Sequence, residues 1–182
     1  KVTYQYEGTV PAAAPALPGD ETHKYGATVT VAADPDVAGY TFNGWTDGAA
    51  VTADTAQFRM PAENVALTGK FVANTDTVYT VNHWLQNVVG DTDGEPAHGG
   101  YYKLADTDNL TGTTGEYVSA KLREYFGFSV RADNKWSDYV QGDGSLVIDV
   151  YYDRHTFDVT YMYYGVAPDG APELTDYNRI DV

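Results

Sequence analysis

Residues 1–17 read KVTYQYEGTVPAAAPAL, and residues 158–174 read DVTYMYYGVAPDGAPEL. Aligned without gaps, they share Val2/Val159, Thr3/Thr160, Tyr4/Tyr161, Tyr6/Tyr163, Gly8/Gly165, Pro11/Pro168, Ala14/Ala171, Pro15/Pro172 and Leu17/Leu174. Both prolines stay in register, which chance does not readily give. Val2, Tyr4 and Tyr6 alternate with polar neighbours, the pattern of a strand with one buried face. The Pro- and Ala-rich remainder cannot enter a sheet interior, because proline has no N–H for the ladder. Each copy therefore reads as a strand running into an extended surface loop. The offset between copies, 159 minus 2 or 157 residues, exceeds one small domain, so another module lies between them. The chain is organised as repeats.

Outward from the first copy, 28–32 is a second strand after a turn at Tyr25-Gly26. GYTFNGW follows at 39–45, where Tyr40, Phe42 and Trp45 supply aromatics to a core. Strands at 57–60 and 65–71, separated by a turn at 61–64, add Phe58 and Phe71 and close a first module over residues 1–73. A second module spans 74–155. Its strands are expected at 78–86, 102–108 and 146–153, with an Asp/Gly loop at 91–100. A short helix is expected at 116–120, and Asp143-Gly144 favours a tight hairpin. Residues 156–182 begin a further copy of the first module without its GYTFNGW and MPAENV elements. That stretch cannot close a core alone. It is expected to pair as a strand with the 146–153 sheet of the second module or, less favourably, with a neighbouring chain. The connections are short and lack Gly/Ser runs, so the modules are expected to be joined stiffly, end to end.

Composition excludes several classes. The 182 residues carry 11 Lys plus Arg against 26 Asp plus Glu, a net charge of −15. Nucleic acid as a partner requires a basic footprint, which is absent here. Docking on anionic lipid is excluded by the same sign, and no apolar run approaches the roughly 20 residues of a membrane-spanning helix. The absence of cysteine rules out disulfides, thiolate metal sites and cysteine nucleophiles. Sixteen tyrosines favour strands, and a 14% aromatic fraction is too high for a disordered acidic tail.

Few residues suggest chemistry. His23, His83, His98 and His155 stand singly, without the clustering a metal site needs. His83 alternates with Val81 and Tyr79 as a half-buried strand residue. Asp91, Asp93 and Glu95 place carboxylates at alternate positions, as calcium loops begin, which makes Ca²⁺ the one cofactor candidate. Pro96 and Tyr102 occupy the sixth and twelfth positions, where a complete loop needs Gly and Glu. Neither a G-x-S-x-G elbow nor a phosphate loop is present, and no enzymatic activity is expected. Aromatic side chains are stronger candidates. Sugar rings stack on exposed aromatics, and Trp136, Tyr139, Tyr101 and Tyr102 are the proposed stacking residues, beside Tyr125, Tyr151 and Tyr152. The competing role for such outward rings is packing at junctions between repeats.

GYTFNGW and MPAENVALTGKF, 39–45 and 60–71, resemble the Listeria–Bacteroides repeat group, the internalin B-repeats of bacterial surface proteins. YTVNHW, LTGTTGEYV and LVIDVYYDR resemble mucin-binding-protein-type repeats. The second module departs from that pattern at FGFSVRADNKW and in its 91–100 loop. The resemblance implies a mainly β fold of β-grasp-like or mixed-sheet modules in tandem, with short helices at most. It further implies a structural repeat of an extracellular Gram-positive adhesin, anchored to the cell wall as part of a longer chain. Such a repeat is a stalk that projects a binding domain, and its partners are neighbouring repeats. The alternative is a module that itself binds host glycans or mucin. No binding site is carried over, because the matching residues are core aromatics, turns and strand ends.

Overall fold

Alternating apolar residues become strands throughout, and no helix occurs among the described residues. The computed structural model describes residues 1–172, Leu174 and the backbone of 177–181. Glu173, Thr175, Asp176 and Val182, part of the stretch read as a further copy, lie outside the described residues. Two units form, and their membership follows space rather than chain order. Unit 1 comprises Lys1–Tyr79, Thr111–Glu116 and Tyr139–Leu146. Unit 2 comprises Thr80–Leu110, Tyr117–Asp138 and Val147–Val182.

In unit 1, β1 (Val2–Tyr6), β2 (Thr28–Thr30), β3 (Tyr40–Phe42), β4 (Gln57–Arg59), β5 (Val65–Gly69) and β6 (Phe71–Ala73) form three two-stranded sheets. β1 runs parallel to β5, while β2–β4 and β3–β6 are antiparallel. The core gathers Val2, Tyr4, Val29, Trp45, Val51, Met60, Val65 and Leu67. Trp45 is its centre, only 1% exposed. Tyr4 and Phe42 meet its ring edge-on at 5.0 and 4.9 Å, and Tyr6 stacks on it at 5.6 Å. Phe71 is also buried, Phe42 and Phe58 pack partly buried against the core, and Tyr40 sits at its margin, 6.4 Å from Phe71. Gly69 makes this packing feasible, because a Cβ there would overlap the Phe42 ring. The two later segments are held by backbone bonds: Thr114 N–H donates to Asn74 O, and Val140 exchanges bonds with Gly115 and Glu116.

Unit 2 holds a five-stranded sheet in the order β11-β13-β7-β9-β8. Its strands are β7 (Thr77–Gln86, which enters from unit 1), β8 (Glu95–Ala97), β9 (Gly100–Gly112), β11 (Phe128–Val130) and β13 (Val147–Arg154). β13 runs parallel to β7, from Val147↔Thr80 to Tyr152↔Leu85. A separate pair joins β10 (Tyr117–Ser119) to β12 (Ser137–Tyr139). Beyond it, β14 (Thr156–Val159) pairs antiparallel with β15 (Tyr177–Asp181).

Three local expectations are corrected. The helix expected at 116–120 is instead β10: five residues cannot repay helix nucleation, and Tyr117 and Val118 favour a strand. Asp143-Gly144 does turn, with Gly144 at φ +75 and its N–H bonded to Gln141 O at 3.0 Å. It makes no hairpin, because β12 and β13 belong to different sheets. The strand of the terminal copy, β14, pairs within the chain as expected, but with its own later segment, β15, rather than with the 146–153 sheet.

Candidate functional site

Strand period places alternate side chains of β7 and β13 on opposite faces of the unit 2 sheet. One face buries Val81, His83, Ile148, Val150 and Tyr152. His83, expected to be half-buried, is fully buried and bonded through both ring nitrogens. Its Nε2 lies 3.2 Å from Asp108 Oδ2, and its Nδ1 lies 2.9 Å from the Tyr152 hydroxyl. Asp108 as a carboxylate can only accept, so Nε2 carries a proton. In the neutral imidazole this leaves Nδ1 to accept from Tyr152, whose oxygen in turn accepts the Arg123 N–H at 3.0 Å. Arg123 bridges Asp106 and Asp108 at 3.1 and 2.6 Å, and the Tyr125 hydroxyl donates to Asp106 at 2.6 Å. Burial works to raise Asp108, but bonds from Arg123 and His83 outweigh it and hold the carboxyl below its ordinary range. Burial, then the bond to Asp106, pushes the Tyr125 hydroxyl up. Every member of this network satisfies another.

The opposite face carries Trp84, Tyr102 and Tyr151, whose rings meet at 6.2 Å (Trp84–Tyr151) and 5.0 Å (Tyr102–Tyr151), with His98 against Tyr151 at 4.6 Å. Tyr102 Oη donates to Asp153 at 2.6 Å and accepts from Arg131 at 3.0 Å. Burial, reinforced by Asp153, pushes the Tyr102 hydroxyl to about 12.

The sequence candidates fare differently. Tyr102 is fully buried and presents no open stacking face, because adjacent strand residues point to opposite sides and Tyr101 takes the outward one. Trp136 is partly exposed at the surface of unit 2, and Tyr139 is exposed beside a cleft of unit 1 lined also by Val37, Tyr40 and Gln141. Asp91, Asp93 and Glu95 are exposed. Asp91 accepts from the Asp93 N–H at 2.9 Å as a local turn, and Glu95 opens β8. Among the described residues, no three His, Cys, Asp or Glu converge on a cation-sized site.

One surface lay outside the sequence candidates. An apolar groove of about 1090 Å³ runs along unit 2 between the 123–127 loop, β11 and the end of β13. Phe126 is fully exposed in it and Phe157 half-exposed, while Arg154 lies over the Phe128 ring at 4.7 Å. Ser129 Oγ lies 2.7 Å from His155 Nε2 on its wall. The available signal was the FGF run at 126–128, an apolar cluster not absorbed by strand alternation.

Comparison with known proteins speaks to the first part of the chain. Residues 2–75 match the divergent InlB B-repeat domain. The InlB-type match spans less than half of the 182 residues and covers the three sheets around Trp45. No curated protein matches significantly. A solved structure of streptococcal SHIRT (Streptococcal High Identity Repeats in Tandem) domains 3-4 from a cell surface protein aligns with 85% of this chain and 97% of its own. The identity is 14% and the TM-score 0.29, a likeness that carries no weight for fold or role.

Proposed function

We propose that this chain is a tandem structural repeat of a bacterial cell-surface protein, a non-catalytic spacer that bears load between the cell and a binding domain. The InlB-type match of residues 2–75 supports the surface setting. One topological feature carries the mechanical part. In each unit the entering strand lies parallel beside a later strand: β1 beside β5, and β7 beside β13. Tension applied to the start of one strand and the far end of its parallel neighbour loads the whole ladder in shear. Tension on the same end of both would open its bonds one at a time. The spacer is extracellular and has neighbouring repeats as partners.

A second role, adhesion to host glycans or mucin, is favoured by exposed Tyr101, Trp136 and Tyr139 and by the Phe126–Phe157 groove. Glycan-array and mucin pull-down assays on the full chain separate the two. The spacer gives no dose-dependent signal. Saturable binding lost in Trp136→Ala, Tyr139→Ala or Phe126→Ala establishes the adhesive role instead.

A further inference from the structure

β7 and β13 run parallel from Val147↔Thr80 to Tyr152↔Leu85. In a regular parallel ladder the next rung would run from the Arg154 N–H to the Gln86 carbonyl. That rung is doubled instead. The Arg154 N–H donates to Gln86 Oε1 at 3.0 Å, and Arg154 Nε donates to the Gln86 carbonyl oxygen at 2.7 Å. Backbone bonds to side chain and side chain to backbone, crossed between the same two residues. The second bond is charge-assisted, because a guanidinium stays protonated at any physiological pH. The corresponding end of unit 1 is plainer. Beyond Tyr6↔Gly69, the Glu7 N–H donates to Gly69 O at 2.9 Å, an ordinary backbone rung.

Arg154 is fastened on its other side too. It stands opposite Phe128 in the antiparallel β11–β13 pair, and its guanidinium lies 4.7 Å from the centre of that ring. A cation over an aromatic face strengthens as water is removed from around it, and Arg154 is half-buried. The next residue continues the attachment to β11. The His155 N–H donates to Gly127 O at 2.8 Å, and His155 Nε2 lies 2.7 Å from Ser129 Oγ. The end of β13 is thus tied to the strand on each side of it.

We propose that Gln86 and Arg154 brace β13 against β7 and set the force at which unit 2 yields. The brace rests on the load-bearing role given above and names the residues that govern it. Tension that enters at the start of β7 and leaves past Arg154 pulls β13 forward along β7. That sliding stretches both crossed bonds together with the ladder, because they join the same two strands at the end where the load leaves. Peeling from the Thr80–Val147 end reaches them last, after the register pairs have opened. The brace therefore resists one direction of loading. Both acceptors are neutral amide oxygens, so added salt has little to screen.

Force-clamp extension of the full chain, which has no native cysteine, provides the test. Handles at Thr80→Cys and Thr156→Cys load β7 and β13 from opposite ends and leave His155 intact. Handles at Thr80→Cys and Val147→Cys load both strands from the same end. In the first geometry, Arg154→Ala should shorten the lifetime of unit 2 at constant force about tenfold or more, as loss of a charge-assisted bond does. Gln86→Ala should shorten it less, because the Gln86 carbonyl remains to accept from Arg154. This milder variant gives the same contrast should Arg154→Ala fold poorly. In the second geometry neither variant should change the lifetime, whereas loss of a merely stabilising contact would shorten both. If the wild-type chain lives equally long in the two geometries, the load-bearing role fails and the brace with it. If the wild type distinguishes them but both variants match it in the first geometry, or shorten both lifetimes alike, the brace alone is overturned.

Discussion

Units 1 and 2 are both built from short strands, yet they solve the core problem in opposite ways. Unit 1 packs rings on rings: Trp45 is surrounded by Tyr4, Tyr6 and Phe42, with Phe71 beyond. Unit 2 places a histidine at the same depth and satisfies it through Tyr152, Asp108 and Arg123, while Tyr102, Arg131 and Asp153 form a second network on the other face. The difference teaches what each unit should be sensitive to. An aromatic cluster fails through lost volume, and a bonded polar core fails through a missing partner or a moved proton.

The largest effect should come from Trp45→Ala, which empties the centre of unit 1 and costs about 3–5 kcal/mol. Amide hydrogen exchange should rise across 1–79 and also across 111–116 and 139–146, which fold with unit 1. Protection retained in those later segments would break the comparison. Next, His83→Leu removes the shared partner of Tyr152 and Asp108 and should cost unit 2 about 1–3 kcal/mol. Urea titration followed through Trp84 and Trp136 reads this, since both belong to unit 2. An unchanged midpoint would mean that the network contributes nothing.

The pH responses are smaller and of opposite sign. The folded state holds Tyr102 at about 12 against an ordinary 10.0. Its neutral form is the one favoured by folding, so this contribution is intact below pH 10 and is lost as pH rises through about 12. Ultraviolet titration of tyrosinate should show a late-ionising class, which also includes Tyr125, and Tyr102→Phe should shrink it by one. Asp108 and Asp133 are held below their ordinary 3.8, Asp133 chiefly by its Arg131 bond. Their contribution is intact above pH 3.8 and is lost as pH falls below it, a modest effect because both are solvent-facing. Asp108→Asn should flatten the acid limb for unit 2 alone.

Much of this was legible in the residues themselves. Alternation placed β1, β7 and β13, because a period of two with one apolar face has few other solutions. The repeated 1–17 and 158–174 stretches agreed down to their Tyr–Pro hydrogen bonds. Other features depend on contacts far apart in sequence. Nothing local marks 139–146 as part of unit 1, where Gly39 and Gly142 approach so closely that a Cβ on either would clash. Nor does the sequence say which of Tyr101 and Tyr102 faces inward, since adjacent identical residues leave the register open. The Phe126 groove is assembled from a loop and two strand ends, which no periodic pattern brings together. Val51 lies in the unit 1 core outside any strand and so escaped the alternation pattern.

Load-bearing through parallel strands is the central claim, and single-molecule extension of unit 2 tests it most directly. With no native cysteine, handles can be placed at Thr80→Cys and His155→Cys, which pull β7 and β13 from opposite ends, or at Thr80→Cys and Val147→Cys, which pull both from the same end. The first geometry loads six register pairs together. It should unfold unit 2 at a markedly higher force than the second. Equal forces in the two geometries would contradict the account.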